Sequence, residues 1–133
     1  MRNQVGPLLK AVGKFDFIGV KAVLVKDITR ASLIQDDENK GWKTIETSLR
    51  TLLHCVQSVG NEVYGGDIKD LYKTISDGVR HANRFVREVS FNLCESLIAV
   101  VGEAQAVEVC EAVVPCLVVG LCDSWPQVRF TAS

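Results

Sequence analysis

Laid over itself with a shift of 42 residues, this chain matches without a gap. Glu46 falls on Glu88, Ser48 on Ser90, Leu49 on Phe91, Val56 on Ile98, Val59 on Val101 and Gly60 on Gly102. The same shift carries Leu71, Ile75, Gly78 and Val79 onto Val113, Leu117, Gly120 and Leu121, and Val86-Arg87 onto Val128-Arg129. A period in the low forties with two helical patterns per period marks stacked helix pairs, in which each unit buries its apolar faces on its neighbours. The predicted class is all-α, and the kind of work such arrays do is binding.

The chain can afford a core: 47% of its 133 residues are hydrophobic and 23% charged, the proportions of an ordinary folded domain. A net charge of −1 supplies no global field for a polyanion, so nucleic-acid or anionic-membrane binding would need a local patch. The longest apolar run, 112–122, is interrupted by Pro115 and is shorter than the roughly 20 residues that cross a bilayer, so no membrane span is expected. Residues 1–13 lack the pattern of a secretory signal, which places the protein inside the cell, in the cytoplasm rather than the nucleus. Cys55, Cys94, Cys110, Cys116 and Cys122 are odd in number and show no close C-x-x-C pair. They read as buried free thiols, without disulfide or metal.

Taken in order, Val5, Leu8, Leu9 and Val12 form a helical stripe that Gly13 should stop. Residues 17–34 read as a second helix despite their β-branched content, and 36–41 as an acidic loop. The clearest amphipathic helix is 42–59, with Trp42, Ile45, Leu49, Leu52, Val56 and Val59 on one face and Lys43, Thr47, Arg50, His54 and Gln57 on the other. After a loop at 61–66, Asp67 stands as N-cap of a helix reaching about Val79. Asn83 caps the next, which carries two apolar stripes: Val86, Val89, Ser90, Leu93, Leu97 and Val101, then Phe91, Cys94 and Ile98. Two stripes imply neighbours on two sides. Residues 106–122 are apolar nearly all round and should bend at Pro115, and Asp123-Ser124-Trp125-Pro126 opens a last helix.

The run Val113-Val114-Pro115-Cys116-Leu117-Val118-Val119-Gly120-Leu121-Cys122-Asp123, with Val128-Arg129 and Ala132 after it, resembles the HEAT repeat. There a first helix contains a proline, the turn an aspartate, and Val-Arg opens the second helix with a small residue one turn later. Val86-Arg87 and Ser90 look like the same signature, and residues 17–60 like a weaker copy with Thr44-Ile45 in the Val-Arg place. The resemblance implies a right-handed α-α solenoid of about three antiparallel helix pairs, an armadillo-like helical array. It divides the chain into a partial repeat 1–13, repeats 14–60 and 61–102, and a truncated repeat 103–133. It also implies that Arg87, Asp123 and Arg129 belong to a ladder between repeats, shortened because His81 stands where the preceding turn would hold the aspartate.

Against this frame the chemical readings are bland. His54 and Cys55 are adjacent on a helix and point about 100° apart, which suits no thiol-imidazole pair. Glu88 and Glu95 are seven residues apart, about 10 Å along a helix, without an apolar pocket around either. Lys73, Arg80, His81, Arg84 and Arg87 make the best phosphate patch and carry the alternative, a nucleic-acid-binding repeat protein, but Asp70, Asp77 and Glu88 sit among them. Trp125 is read as packing on Leu121 before it is read as an anchor for a partner.

The expectation is a non-catalytic protein-protein interaction scaffold from a larger protein, without cofactor or metal. Its partner face is drawn from the polar sides of the second helices: Lys43, Arg50, His54, Glu88, Asn92 and Glu95. The 42-residue offset sets Arg50 beside Asn92 and His54 beside Ser96. Residues 106–122 need covering, by further chain after Ser133 or by self-association through Val113, Val114, Leu117, Val118 and Leu121.

Overall fold

The computed structural model describes residues 2–33, 40–65 and 68–133, with side chains from residue 17 onward in those spans apart from residue 40. Six helices follow one another: α1 (Arg2–Ser32), α2 (Lys40–Val59), α3 (Lys69–Val79), α4 (Arg84–Ala99), α5 (Ala106–Leu121) and α6 (Pro126–Ala132). Two 3-10 turns, Gly60–Gly65 and Glu103–Gln105, complete the described residues, which include no strand.

The contacts form two rows. α1 packs on α3 and α3 on α5, while α2 packs on α4 and α4 on α6. Each helix of the first row also packs on its successor in the second: α1 on α2, α3 on α4 and α5 on α6. α4 therefore has neighbours on two sides, as its two stripes predict. Val86, Val89, Ser90, Leu93 and Leu97 of the first stripe and Phe91 and Cys94 of the second are buried, whereas Ile98 is 43% exposed and Val101, half-buried, lies past the end of α4. With Leu49, Leu52, Val56, Leu71, Ile75 and Val79 these buried residues make the centre of the core.

Several local expectations change. Gly13 does not stop a helix, since α1 runs unbroken from Arg2 to Ser32. Gly41 lies inside α2, which starts at Lys40. The loop at 61–66 is largely a 3-10 turn, entered at Gly60 with a φ of 60°. That turn buries Val63 and aims the Tyr64 hydroxyl at the Leu97 carbonyl, 2.7 Å away. Of the acidic connection expected at 36–41, residues 36–39 lie outside the described residues, as does the Asp67 cap, and Lys40 and Gly41 belong to α2. Asn83 does cap α4, its Oδ1 accepting from Phe85 N at 2.8 Å.

α1 holds a charge that its apolar pattern hides. Lys21 is only 4% exposed, and its Nζ reaches Asp70 Oδ1 of α3 at 3.0 Å. Burial of an ammonium is tolerated because a carboxylate meets it.

α5 is less covered than its composition suggests. Val109, Val113, Cys116 and Gly120 are buried against other helices, whereas Val107, Val114, Val118 and Leu121 are more than half exposed. Cys110 and Cys122 are exposed too, so only Cys55, Cys94 and Cys116 are buried thiols. The expectation that no stretch is long and apolar enough to cross a membrane also needs correction. Glu103–Leu121 passes that test by length and composition, at 19 residues and a mean hydropathy of 1.7, because the stretch tolerates Glu108 and Glu111. Core helices of soluble proteins pass the same test, and α5 packs on α3, α4 and α6.

Candidate binding surface

The surface is set by how the pairs meet, and that contact recurs along the chain. Gly78 of α3 lies so close to Ser90 of α4 and Leu49 of α2 that a methyl group there would overlap the Ser90 hydroxyl. Forty-two residues on, Gly120 of α5 lies against Ala132 of α6 and Phe91 of α4 in the same way. Each glycine lets two helices approach where a side chain would hold them apart.

The turns repeat as well. Arg87 Nη1 donates to the His81 carbonyl at 3.0 Å, and Arg129 Nη1 to the Asp123 carbonyl at 2.8 Å. Asn83 N donates to His81 Nδ1 at 3.0 Å, and Trp125 N to Asp123 Oδ1 at 2.8 Å. His81 thus does the acceptor work that Asp123 does one period later. The role needs a neutral ring, and burial, with the nearby Arg87 charge second, lowers the His81 pKa below its usual 6.5.

Arg87 and Asp123 form a rung between the last two pairs. Arg87 Nε and Nη2 reach Asp123 Oδ2 and Oδ1 at 2.7 and 3.2 Å, a two-point grip with side chains only 16% and 8% exposed. Arg87 Nη1 also holds the Ala82 carbonyl, so one guanidinium ties the turn before α4 to the turn before α6. Arg129 takes no part in the carboxylate grip; it stays within its own turn, on the Asp123 carbonyl. One period earlier, Ile45 and His81 occupy the places of Arg87 and Asp123, and both line one hollow between α1, α2 and α3.

Two grooves run along the row of second helices. One, about 390 Å³, lies between α2 and α4 and is lined by Leu53, Gln57, Asn92, Glu95 and Ser96 among others. The second, about 480 Å³, lies between α4 and α6, where Phe91, Asn92, Glu95, Ile98 and Phe130 meet Leu117. Asn92 and Glu95 form the ridge shared by both grooves.

Of the six residues expected on the partner face, the structure brings only Asn92 and Glu95 into these grooves. Arg50 is held along its own helix by Glu46. His54, half-buried, and Glu88 line neither groove, and Lys43 lies near the start of α2, over the Trp42 ring. The cross-helix neighbours also differ from the 42-residue offset. Gln57 Nε2 meets Ser96 Oγ at 3.5 Å and Asn61 Nδ2 meets the Val100 carbonyl at 2.9 Å, both 39 apart. Side chains fill the gap between successive turns of the facing helix, so touching residues lie about one turn off the equivalent ones.

The basic patch is largely spent internally. Lys73 pairs with Asp77 at 3.0 Å, Arg80 donates to Ser76, and Arg87 is committed to Asp123. Cys55 is fully buried and burial raises its pKa, which keeps it a thiol and removes it from nucleophilic work. Cys94, pushed up to about 12 by burial and then by Cys116, is equally inert. Among the described residues no three His, Cys, Asp or Glu side chains converge on a metal-sized site.

Sequence reasoning missed an aromatic and cationic row at the N-terminal ends of α2, α4 and α6. Trp42 stacks on Phe85 with centroids 5.8 Å apart and planes at 25°. Arg84 lies over Phe85 at 4.9 Å and over Trp125 at 4.2 Å. Trp125 therefore spends its face on the preceding pair, on Arg84. The signal was present in the spacing, since each of these residues opens a second helix, but apolar periodicity weighs Trp and Phe only as core.

No family model matches the chain, and no characterised protein or solved structure is significantly similar to it.

Proposed function

We propose that the chain is a segment of a HEAT-type solenoid, a right-handed stack of three antiparallel helix pairs that works as a non-catalytic scaffold for a protein partner. The observation that carries this reading is the contact of Leu49, Gly78 and Ser90 recurring as Phe91, Gly120 and Ala132 one 42-residue period on. A stack needs the same junction at every step, because each pair buries its faces on the next. The shared turn bonds of Arg87 and Arg129 support it in the same way.

Binding falls to the grooves beside the Asn92–Glu95 ridge. Leu53, Ile98 and Phe130 offer apolar contact, Gln57, Asn92 and Thr131 offer hydrogen bonds, and Glu95 sets the charge. That mixture suits an apolar helix or extended segment with a basic residue near its middle.

The test is comparative capture from extract of the native cell, read by mass spectrometry, with wild type, the groove variant Asn92→Trp/Glu95→Arg and the distant variant Lys73→Ala. A partner held by wild type and Lys73→Ala but lost by the groove variant is expected. The same set on all three would remove the grooves from the reading. A polynucleotide shift that collapses with added salt would favour the nucleic-acid alternative.

A further inference from the structure

We propose that the row of rings and cations at the N-terminal ends of α2, α4 and α6 docks an acidic protein segment, with the Arg84 guanidinium taking a carboxylate in its fork. The proposal does not rest on the grooves, which lie toward the C-terminal halves of α2 and α4.

The row alternates in kind. Lys43 Nζ sits 5.9 Å over the Trp42 ring, Trp42 stacks on Phe85, and Arg84 lies over both Phe85 and Trp125. A guanidinium attracted to ring faces through its π-plane keeps the N–H edge of its fork for other partners. That edge is unspent. Arg84 makes no ion pair or hydrogen bond with the described residues, unlike Arg50, Lys73 and Arg87, each of which has a carboxylate. Lys43 has none among the described residues either.

Asp123, in the turn before α6, has both oxygens engaged by Arg87 and one also by Trp125 N, and Glu88, four residues along α4 from Arg84, makes no ion pair with it. Arg84, Phe85, Ser124 and Trp125 border a hollow of about 440 Å³ at this end, open to solvent and large enough for a few side chains. An oriented, uncompensated guanidinium beside half-exposed aromatic rings is the composition of an interface anchor. The complementary group is a carboxylate, which accepts two parallel N–H bonds in the plane of the fork.

Single-stranded nucleic acid fits less well, because it binds by laying bases on open ring faces. Here Trp42 already meets Phe85 and Lys43, Phe85 meets Trp42 and Arg84, and Trp125 meets Arg84.

The two tryptophans of the chain, Trp42 and Trp125, both belong to the row, so tryptophan emission reports on this site. Hexaglutamate peptide titrated into the full chain should produce a saturable change in emission. Arg84→Ala should weaken it by about tenfold or more, and Arg84→Lys, which keeps the charge but loses the planar fork, by several-fold. Arg80→Ala, an exposed cation bonded to Ser76, should leave it unaltered. Oligothymidylate and inorganic phosphate at matched charge should not displace the peptide. No saturable change in wild type, an Arg80→Ala loss as large as that of Arg84→Ala, or displacement by oligothymidylate at lower concentration than the peptide itself would each overturn the proposal. Arg84 is exposed, so its variants keep the core and their melting temperature should match wild type.

Discussion

The pair α3–α4 and the pair α5–α6 carry equivalent residues 42 apart, yet they are buried to very different extents. Where a position faces the other helix of its own pair, the two agree: Leu71 and Val113, Val86 and Val128, Ser90 and Ala132 are all buried. Where it faces the following pair, they diverge. Val79 is fully buried and its equivalent Leu121 is 51% exposed. Tyr72 and Ser76 are half-buried, while their equivalents Val114 and Val118 are 51% and 57% exposed. A local pattern thus decides which residues can be core, and the presence of a neighbour decides which ones are. The proposed stack, whose stability would be a sum of units and junctions, should behave in this way.

The sharpest way to break the comparison is to truncate an apolar side chain on a closed face of one pair and on a bare face of the other. Leu93→Ala, in the stripe closed on all sides, should cost roughly 2–5 kcal/mol. Val118→Ala, on the bare face, should change stability by less than about 0.5 kcal/mol. Urea midpoints of the two variants decide it, and equal effects would mean that the helix faces are misassigned.

The two turns offer a second, smaller contrast. Asp123→Ala removes an acceptor for Trp125 N and leaves the largely buried Arg87 without its carboxylate, a loss of about 1–3 kcal/mol. His81→Ala removes only the Asn83 N acceptor and should cost about 1 kcal/mol or less. Thermal unfolding of both would reverse the comparison if His81→Ala proved the more damaging.

The smallest effect is a pH dependence carried by His81 in the turn before α4. Because burial lowers the His81 pKa below 6.5, the unfolded chain takes up that proton more readily than the folded one. Its contribution to stability is complete above about pH 6.5 and falls as the pH drops from there toward the folded value. The melting temperature should decline between pH 7 and 5.5, and His81→Gln should flatten that part of the curve.

Much of the architecture was legible in the chain. The apolar steps of residues 42–59 and 83–101 foretold α2 and α4 with their buried faces, because a 3.6-residue period admits few other solutions. The Asn83 cap was readable for the same local reason. Gly13 misled, since a glycine lowers helix propensity by only about 1 kcal/mol, an amount tertiary packing overrides. The candidate surface was the least legible part. Arg50 and His54 share the polar side of α2 with Gln57, but only Gln57 faces the groove toward α4, and nothing in their spacing separates them.

By itself the sequence determined that the chain is helical, that Gly78 and Gly120 hold equivalent places 42 residues apart, and that Val-Arg opens the second helix of two pairs. Those properties depend on residues within a turn or two of each other, or on a period that survives comparison of the chain with itself. Only the tertiary structure decided that Arg87 rather than Arg129 grips Asp123, that Arg84 lies over both Phe85 and Trp125, and that Lys21 is buried against Asp70. Each of these joins residues brought together by the crossing of two helices, and a shift of one turn at that crossing, from 42 to 39 residues in the contacts of Gln57 and Asn61, changes every partner without altering the pattern that built the helices.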